Sequence, residues 1–265
     1  MIARAALALV LVAACLPISA CSSGGSVRKA EATGPDQVQV VQIALPMSNA
    51  YVIKAERPIL IDTGGPGDAK AIEQALAAEG IAPSQIGLIV LTHGHADHAG
   101  SAAALRMVTR APIALGAGDA AMAAAGRNGA LKPVGLEAWL IRPFVSPPFA
   151  PFPVDIAVSS EVDLKPWGVA GAIKPMPGHT EGSLVVVLDD HRAFTGDLLR
   201  GGSMGGHLNP HQPHDHYFQP DVARAHRSIC DLLASGVETF YVGHGGPLTR
   251  AAVAKAFACT PASGT

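Results

Sequence analysis

The pattern of hydrophobic and polar positions becomes regular at Val38 and then changes period several times. "VQVVQIAL" (38–45), "AYVIKA" (50–55) and "PILIDTG" (58–64) combine alternation and β-branched residues with bounding turn signals, which predicts three strands. "GDAKAIEQALAAEG" (67–80) shifts to helical spacing and ends on Gly80, a residue suited to closing a helix. "IGLIVL" (86–91) is continuously apolar and has the length of a buried strand. "THGHADH" follows it directly, and "HAGSAAALRMV" opens the next helix. "APIAL" (111–115) predicts another strand and "GDAAMAAAG" (118–126) a weak helix. Residues 127–160, with "RPFVSPPFAPFPV" at their centre, carry too much proline for a regular element and are expected to form a long surface loop that walls a pocket. Strands are expected again near Glu161–Leu164, Ala172–Pro175, Ser183–Leu188 and Arg192–Thr195. A helix (220–235), a strand (239–243) and a last helix from Thr249 close the chain. Strands, then βα units, then strands and βα units again suggest two related halves of one α/β domain, with no detectable sequence repeat.

Composition narrows the function classes. A formal net charge of −2 over 265 residues removes the electrostatic case for a nucleic-acid partner. Charged residues at 15% and hydrophobic ones at 49% exclude a disordered chain. The first residues stand apart: Arg4 precedes an uncharged apolar run, Ala5 to Leu16, that is too short for a bilayer span of about 20 residues and reads as a signal segment. "ISAC" (18–21) then resembles a bacterial lipobox with Cys21 as the lipidated residue, and "VAAC" makes Cys15 a weaker candidate. The expected organisation is a signal peptide (1–20), a flexible tether (21–37), one domain (38–259) and a tail (260–265). The protein is expected to be exported and anchored to a bacterial membrane only through Cys21. Cys230 shares a helical face with Val222, His226, Ile229 and Leu233, and is expected to be a buried thiol in preference to a bridge with Cys259.

The chemistry concentrates after the buried strand. His93 and His95 are two apart, so an extended segment projects both to one side. Asp97 and His98 follow where the chain turns into a helix. One metal takes about three protein ligands and leaves a place for water, so four candidates in six residues point to two adjacent metals. Further ligands are available in three glycine-flanked turns: His179 in "PMPGHTEGS", Asp197 in "AFTGDLLRG" and His244 in "FYVGHGGPL". The segment 201–220 adds His207, His211, His214, His216 and Tyr217. It is expected to be a mobile polar loop with solvated histidines. The alternatives are a lid from which one histidine or Tyr217 reaches the substrate oxyanion, or a scavenger of extra metal. His191 and His226 have no motif around them and are expected to be structural.

Taken together, "IDTG" with Asp62, "THGHADH", "PGHTEGS", "TGD" and "GHGGP" resemble the metallo-β-lactamase-fold hydrolase superfamily, in the family's order and across Val38 to Phe257. The resemblance implies an αββα four-layer sandwich with a dinuclear centre between its sheets. It implies that His93, His95 and His179 hold one metal and that Asp97, His98 and His244 hold the other, with Asp197 bridging. Zinc is the expected metal, with iron or manganese also suited to nitrogen and oxygen donors. A hydroxide shared by two such ions then attacks a small-molecule substrate. Asp97 and Asp62 are the expected catalytic pair, Asp97 orienting the nucleophile or shuttling its proton and Asp62 steadying the cluster. Asp197 directs the reading toward the ester, thioester and lactone hydrolases of the family. A β-lactam, phosphodiester or sulfate ester remains an alternative substrate, and a non-catalytic metal-binding protein the remaining class.

Overall fold

In most strands both side-chain faces are apolar, and this dictates that each sheet be covered on two sides. The computed structural model describes residues 26–30 and 37–259; the leader, Cys15, Cys21 and the tail 260–265 lie outside them. Seven strands form the first sheet in sequence order: Ser26–Ala30 (β1), Gln39–Ala44 (β2), Asn49–Lys54 (β3), Ile59–Ile61 (β4), Leu88–Val90 (β5), Ile113–Gly116 (β6) and Ile156–Val158 (β7). Pairing is antiparallel from β1 to β4 and parallel from β4 to β7. The second sheet uses Val162–Asp163 (β8), Gly171–Pro175 (β9), Leu184–Leu188 (β10), Arg192–Gly196 (β11), Thr239–Val242 (β14) and Leu248–Thr249 (β15), in the order β15-β14-β11-β10-β9-β8. Arg200–Ser203 (β12) and Leu208–His214 (β13) make a separate hairpin. The helices are Ala69–Ala78 (α1), Ala96–Ala99 (α2), Ala102–Thr109 (α3), Ala120–Ala125 (α4), Gly135–Ile141 (α5), Val222–Ala234 (α6) and Arg250–Phe257 (α7).

Neighbouring positions in one strand belong to different cores. Val41, Val52 and Leu60 face outward onto Ile72 and Leu76 of α1 and Leu105 of α3. Val40, Ile53, Ile59 and Ile61 face inward onto Ile173, Leu184, Val186 and Phe194 of the second sheet. On the far side of that sheet Val185, Phe240 and Val242 pack on Ile229 and Leu232 of α6 and Val253 of α7. The result is the expected αββα sandwich. Burying each of these large side chains contributes about 1.5–3 kcal/mol, so the doublets, not the turns, hold the layers together.

Three expectations differ from the structure. Ser26–Ala30, read as part of a tether, pairs with β2 as an edge strand. Within 127–160, read as a loop throughout, α5 forms between Pro133 and Pro143. Proline in a helix interior breaks it and disfavours helix just before, but the nine residues between these two are free of it, and seven of them form α5. Ala138 of α5 is buried against Leu131, Tyr217 and Phe218. The third difference is that Cys230 and Cys259 are bridged, with Cα atoms 5.4 Å apart. Helical spacing placed Cys230 on the apolar face of α6, but it lies half-buried at the seam with α7, where the chain end returns past Phe257.

Candidate metal centre

The turns that follow β5, β9, β11 and β14 bring the predicted donors to one place. His93 and His95 stand between β5 and α2, and Asp97 and His98 lie on α2. His179 sits in the β9–β10 connection, Asp197 follows β11 and His244 follows β14. Ligand atoms of His93, His95 and His179 lie within 4.8 Å of one another, and so do those of Asp97, His98, Asp197 and His244. Asp197 stands at the meeting point. Its Oδ2 is 3.7 Å from His93 Nε2, 3.6 Å from His179 Nε2 and 3.4 Å from His244 Nε2, while Oδ1 is 3.3 Å from His98 Nε2. Asp97 Oδ2 is 3.3 Å from His244 Nε2.

These atoms converge without satisfying one another. His93 Nε2, His98 Nε2, His244 Nε2 and both Asp197 oxygens are buried with no hydrogen-bond partner. Leaving so many buried polar atoms orphaned is costly, and a divalent cation among them removes the cost. Burial lowers the pKa of His93, that of His95 to about 4 and that of His179 to about 3, so their electron pairs are ready to donate. Burial is the largest single influence on His98 and His244 and opposes their charge, but the neighbouring carboxylates together outweigh it: Asp197 with Asp97 raises His244 to about 9, and Asp197, Asp62 and Asp97 raise His98. A cation entering that half therefore displaces protons as it binds.

Other residues hold the donors in place. Asp62 stands in the left-handed region (φ 60°), where aspartate is better tolerated than most residues. It accepts from Thr92 N at 2.7 Å and lies 2.8 Å from His98 Nδ1, so it sits behind His98, buried, as a positioning residue. Asp119, which the sequence reading passed over, ties two donor turns together. It accepts from Gly94 N at 2.9 Å, Thr180 Oγ1 at 2.7 Å and Gly182 N at 3.0 Å. A Cβ at Gly243 would collide with Asp197 Oδ1 and the His98 ring, so the turn before His244 admits only glycine.

The segment 201–220 departs from the expected mobile loop: much of it is the β12–β13 hairpin, and His216 to Gln219 after the hairpin are buried. His207 and His211 are exposed and His214 is half-buried, but His216 is buried beside the cluster, its Nε2 3.0 Å from Asp197 Oδ2. The Tyr217–Phe218 pair after it was the sequence signal for burial. His226 lies apart, its Nε2 2.6 Å from Asp215 Oδ1, and His191 sits in the β10–β11 turn with φ 68°. Over the centre opens a cavity of about 630 Å³ with His95, Asp97, Asp197, His216 and His244 at its base. Leu131, Leu140, Ile141, Phe144, Val145 and Met204 make its walls, so part of the 127–160 segment does wall a pocket.

Known proteins agree with this architecture. The model of the metallo-β-lactamase superfamily matches residues 44–244. Metallo-beta-lactamase domain-containing protein 1 of Homo sapiens is 53% identical over 47 residues, 18% of this chain and 18% of that protein. Hydroxyacylglutathione hydrolase of Anaeromyxobacter dehalogenans (strain 2CP-C) is 34% identical over 140 residues, 53% of this chain and 41% of that protein. The matched segments thus span less than half the length of either relative. Among solved structures, the B3 metallo-β-lactamase BLEG-1 superposes with a TM-score of 0.60 at 23% identity, over 82% of this chain and 96% of that one. The Cronobacter sakazakii metallo-β-lactamase with the HARLDQ motif gives 0.56 at 24% identity, over 78% and 75%. Those two likenesses are of fold. With the family model running through every donor turn as far as His244, the chain belongs to the metallo-β-lactamase superfamily.

Proposed function

We propose that this chain hydrolyses a neutral ester, thioester or lactone with an apolar acyl part, using two divalent ions held in the buried cluster. His93, His95 and His179 would hold one ion, Asp97, His98 and His244 the other, and Asp197 both. Such a pair, when bound, supplies a water of lowered pKa and an electrophile for the carbonyl oxygen. The protein's own part is positioning and proton handling. Asp62 fixes the His98 ring, and Asp119 fixes the turns of His95 and His179. Asp97, the least buried of the seven donors, faces the cavity, where its carboxylate takes the proton of the attacking water and passes it to the leaving oxygen or sulfur.

The observation that carries the substrate class is the cavity wall. Leu131, Leu140, Ile141, Phe144, Val145 and Met204 make most of it, Asn128, Glu137 and His207 are its polar members, and no lysine or arginine lines it. The carboxylate of a β-lactam, which lies away from the reacting carbonyl, would meet no lysine or arginine there and would face Glu137. The hydroxyacylglutathione hydrolase likeness supports thioester chemistry, while the glutathione carboxylates find no partner in this wall. Across a panel of esters, thioesters and lactones, kcat/KM should rise about three- to fourfold per added acyl methylene until the cavity is full, the equivalent of about 0.8 kcal/mol each. Faster turnover of a β-lactam or a phosphodiester than of every carboxylic ester in the panel would overturn the reading.

We propose further that the chain is exported and tethered through Cys21. The Cys230–Cys259 bridge supports this, since disulfides persist in oxidising compartments. No helix among the described residues is long and apolar enough to cross a membrane. Cys21→Ala should leave an unprocessed or soluble species; a processed, membrane-partitioning Cys21→Ala protein refutes the anchor.

A further inference from the structure

The segment after the β12–β13 hairpin delivers a histidine outside the seven donors named above. His216 is 4% exposed, and Tyr217, Phe218 and Gln219 after it are equally buried. Gln219 Nε2 donates to the carbonyl of Leu198, the residue after Asp197, at 2.7 Å, which pins the segment against the centre. The His216 ring stands edge-on to His179, centroids 4.5 Å apart at 88°, and lies beside His244 at 5.3 Å. Its Nε2 is 3.0 Å from Asp197 Oδ2, yet both atoms are buried without a hydrogen-bond partner. At that distance only the angle fails, so the in-plane direction of Nε2, along which either a proton or an electron pair must lie, misses Oδ2. Two buried polar atoms side by side and aimed past each other are what a shared third atom requires. The other nitrogen, Nδ1, accepts from Phe218 N at 3.3 Å and lies 3.4 Å from the Phe218 carbonyl, so the backbone of that residue holds the ring in place.

We propose that His216 Nε2 is an additional protein donor to the metal centre, on the side where His179 and Asp197 meet. The proposal rests on the reading of the cluster as a metal centre. The ligand atoms of His179, Asp197 and His216 lie within 4.8 Å of one another, as tightly grouped as those of the other two sets. The half of the centre built on His93, His95 and His179 then has a fourth imidazole within reach, while the other half stays mixed in nitrogen and oxygen. The two metal positions are chemically unlike.

The test is titration of the metal-free full chain with cobalt(II), followed by visible absorption, whose bands report donor type and coordination number. His216→Ala should weaken one of the two cobalt ions by at least about tenfold, the lower bound for losing even an outer partner of a metal site, and should change its band shape. His216→Glu, whose carboxylate has similar reach, should recover part of the affinity with a third band shape. His207→Ala, at an exposed position, should match the wild type. Circular dichroism of the metal-free variants checks folding, and if His216→Ala does not fold, His216→Glu carries the test through its altered spectrum. Wild-type affinity and spectrum in His216→Ala would reduce His216 to packing. Lost affinity with an unchanged band shape, not recovered by His216→Glu, would reduce it to positioning. Failure of the wild type to take up cobalt would sink the metal-centre reading itself, and this proposal with it.

Discussion

Asp197→Asn lowers kcat/KM by at least about a hundredfold and leaves the protein with fewer than two equivalents of metal. Asparagine keeps the shape of the side chain and removes its charge. The wild-type carboxylate is the one group within 3.3–3.7 Å of imidazoles from both donor sets, with His93 and His179 on one side and His98 and His244 on the other. Its charge also acts with that of Asp97 to hold His244 near pKa 9 against burial. Losing it therefore weakens both halves together, whereas His244→Ala spares the set of His93, His95 and His179. Elemental analysis beside kinetics on an ester substrate checks the expectation, with His226→Ala, which lies apart from the cluster, as the control. Two retained equivalents and near-full activity in Asp197→Asn would remove the bridging role, leaving the cavity wall alone to carry the preference for esters over β-lactams.

The double substitution Cys230→Ser, Cys259→Ser lowers the unfolding free energy by about 2–4 kcal/mol, as expected for a bridge across a sequence separation of 29. For a domain of this size that is a fall in Tm of roughly 10 °C. The bridge ties α6 to the chain end beyond α7, and Val253 is the sole fully buried apolar residue of α7. Arg250 donating to the carbonyls of Leu233 and Val237, and the Phe257 ring against His226, are the other ties there. Metal content should stay unchanged, because neither cysteine borders the cluster. Scanning calorimetry with and without reductant measures the effect, and an unchanged Tm would show that the packing of α6 on the second sheet suffices alone.

Much of this was legible in the sequence, for identifiable physical reasons. Doublets such as Val40–Val41 and Val52–Ile53 make strands that must be covered on both faces, and a sandwich between helices follows from that. The donors were legible because each lies in a short turn after an apolar run, flanked by glycine. Helix α5 was hidden because proline on both sides masked seven residues that carry none. His216 was hidden among three histidines that are indeed exposed or half-buried. Asp119 was invisible for another reason: an aspartate before an alanine-rich helix resembles a cap, and only the fold carries Gly94 and Thr180 to it. The disulfide depends on how two helices return past each other, which periodicity within one helix does not encode.

The wall built by α5 rests on a small cluster of its own, Leu131 and Ala138 against Tyr217 and Phe218, separate from the three cores that hold the sandwich. Leu136, Trp139, Leu140 and Phe144 along it are largely exposed. Substitutions there reshape the cavity while leaving the sheets and the donor turns untouched. Selection can therefore retune what this cavity accepts at little risk to the folding of the sandwich, and the residues between Pro133 and Pro143 are where closely related chains should diverge first.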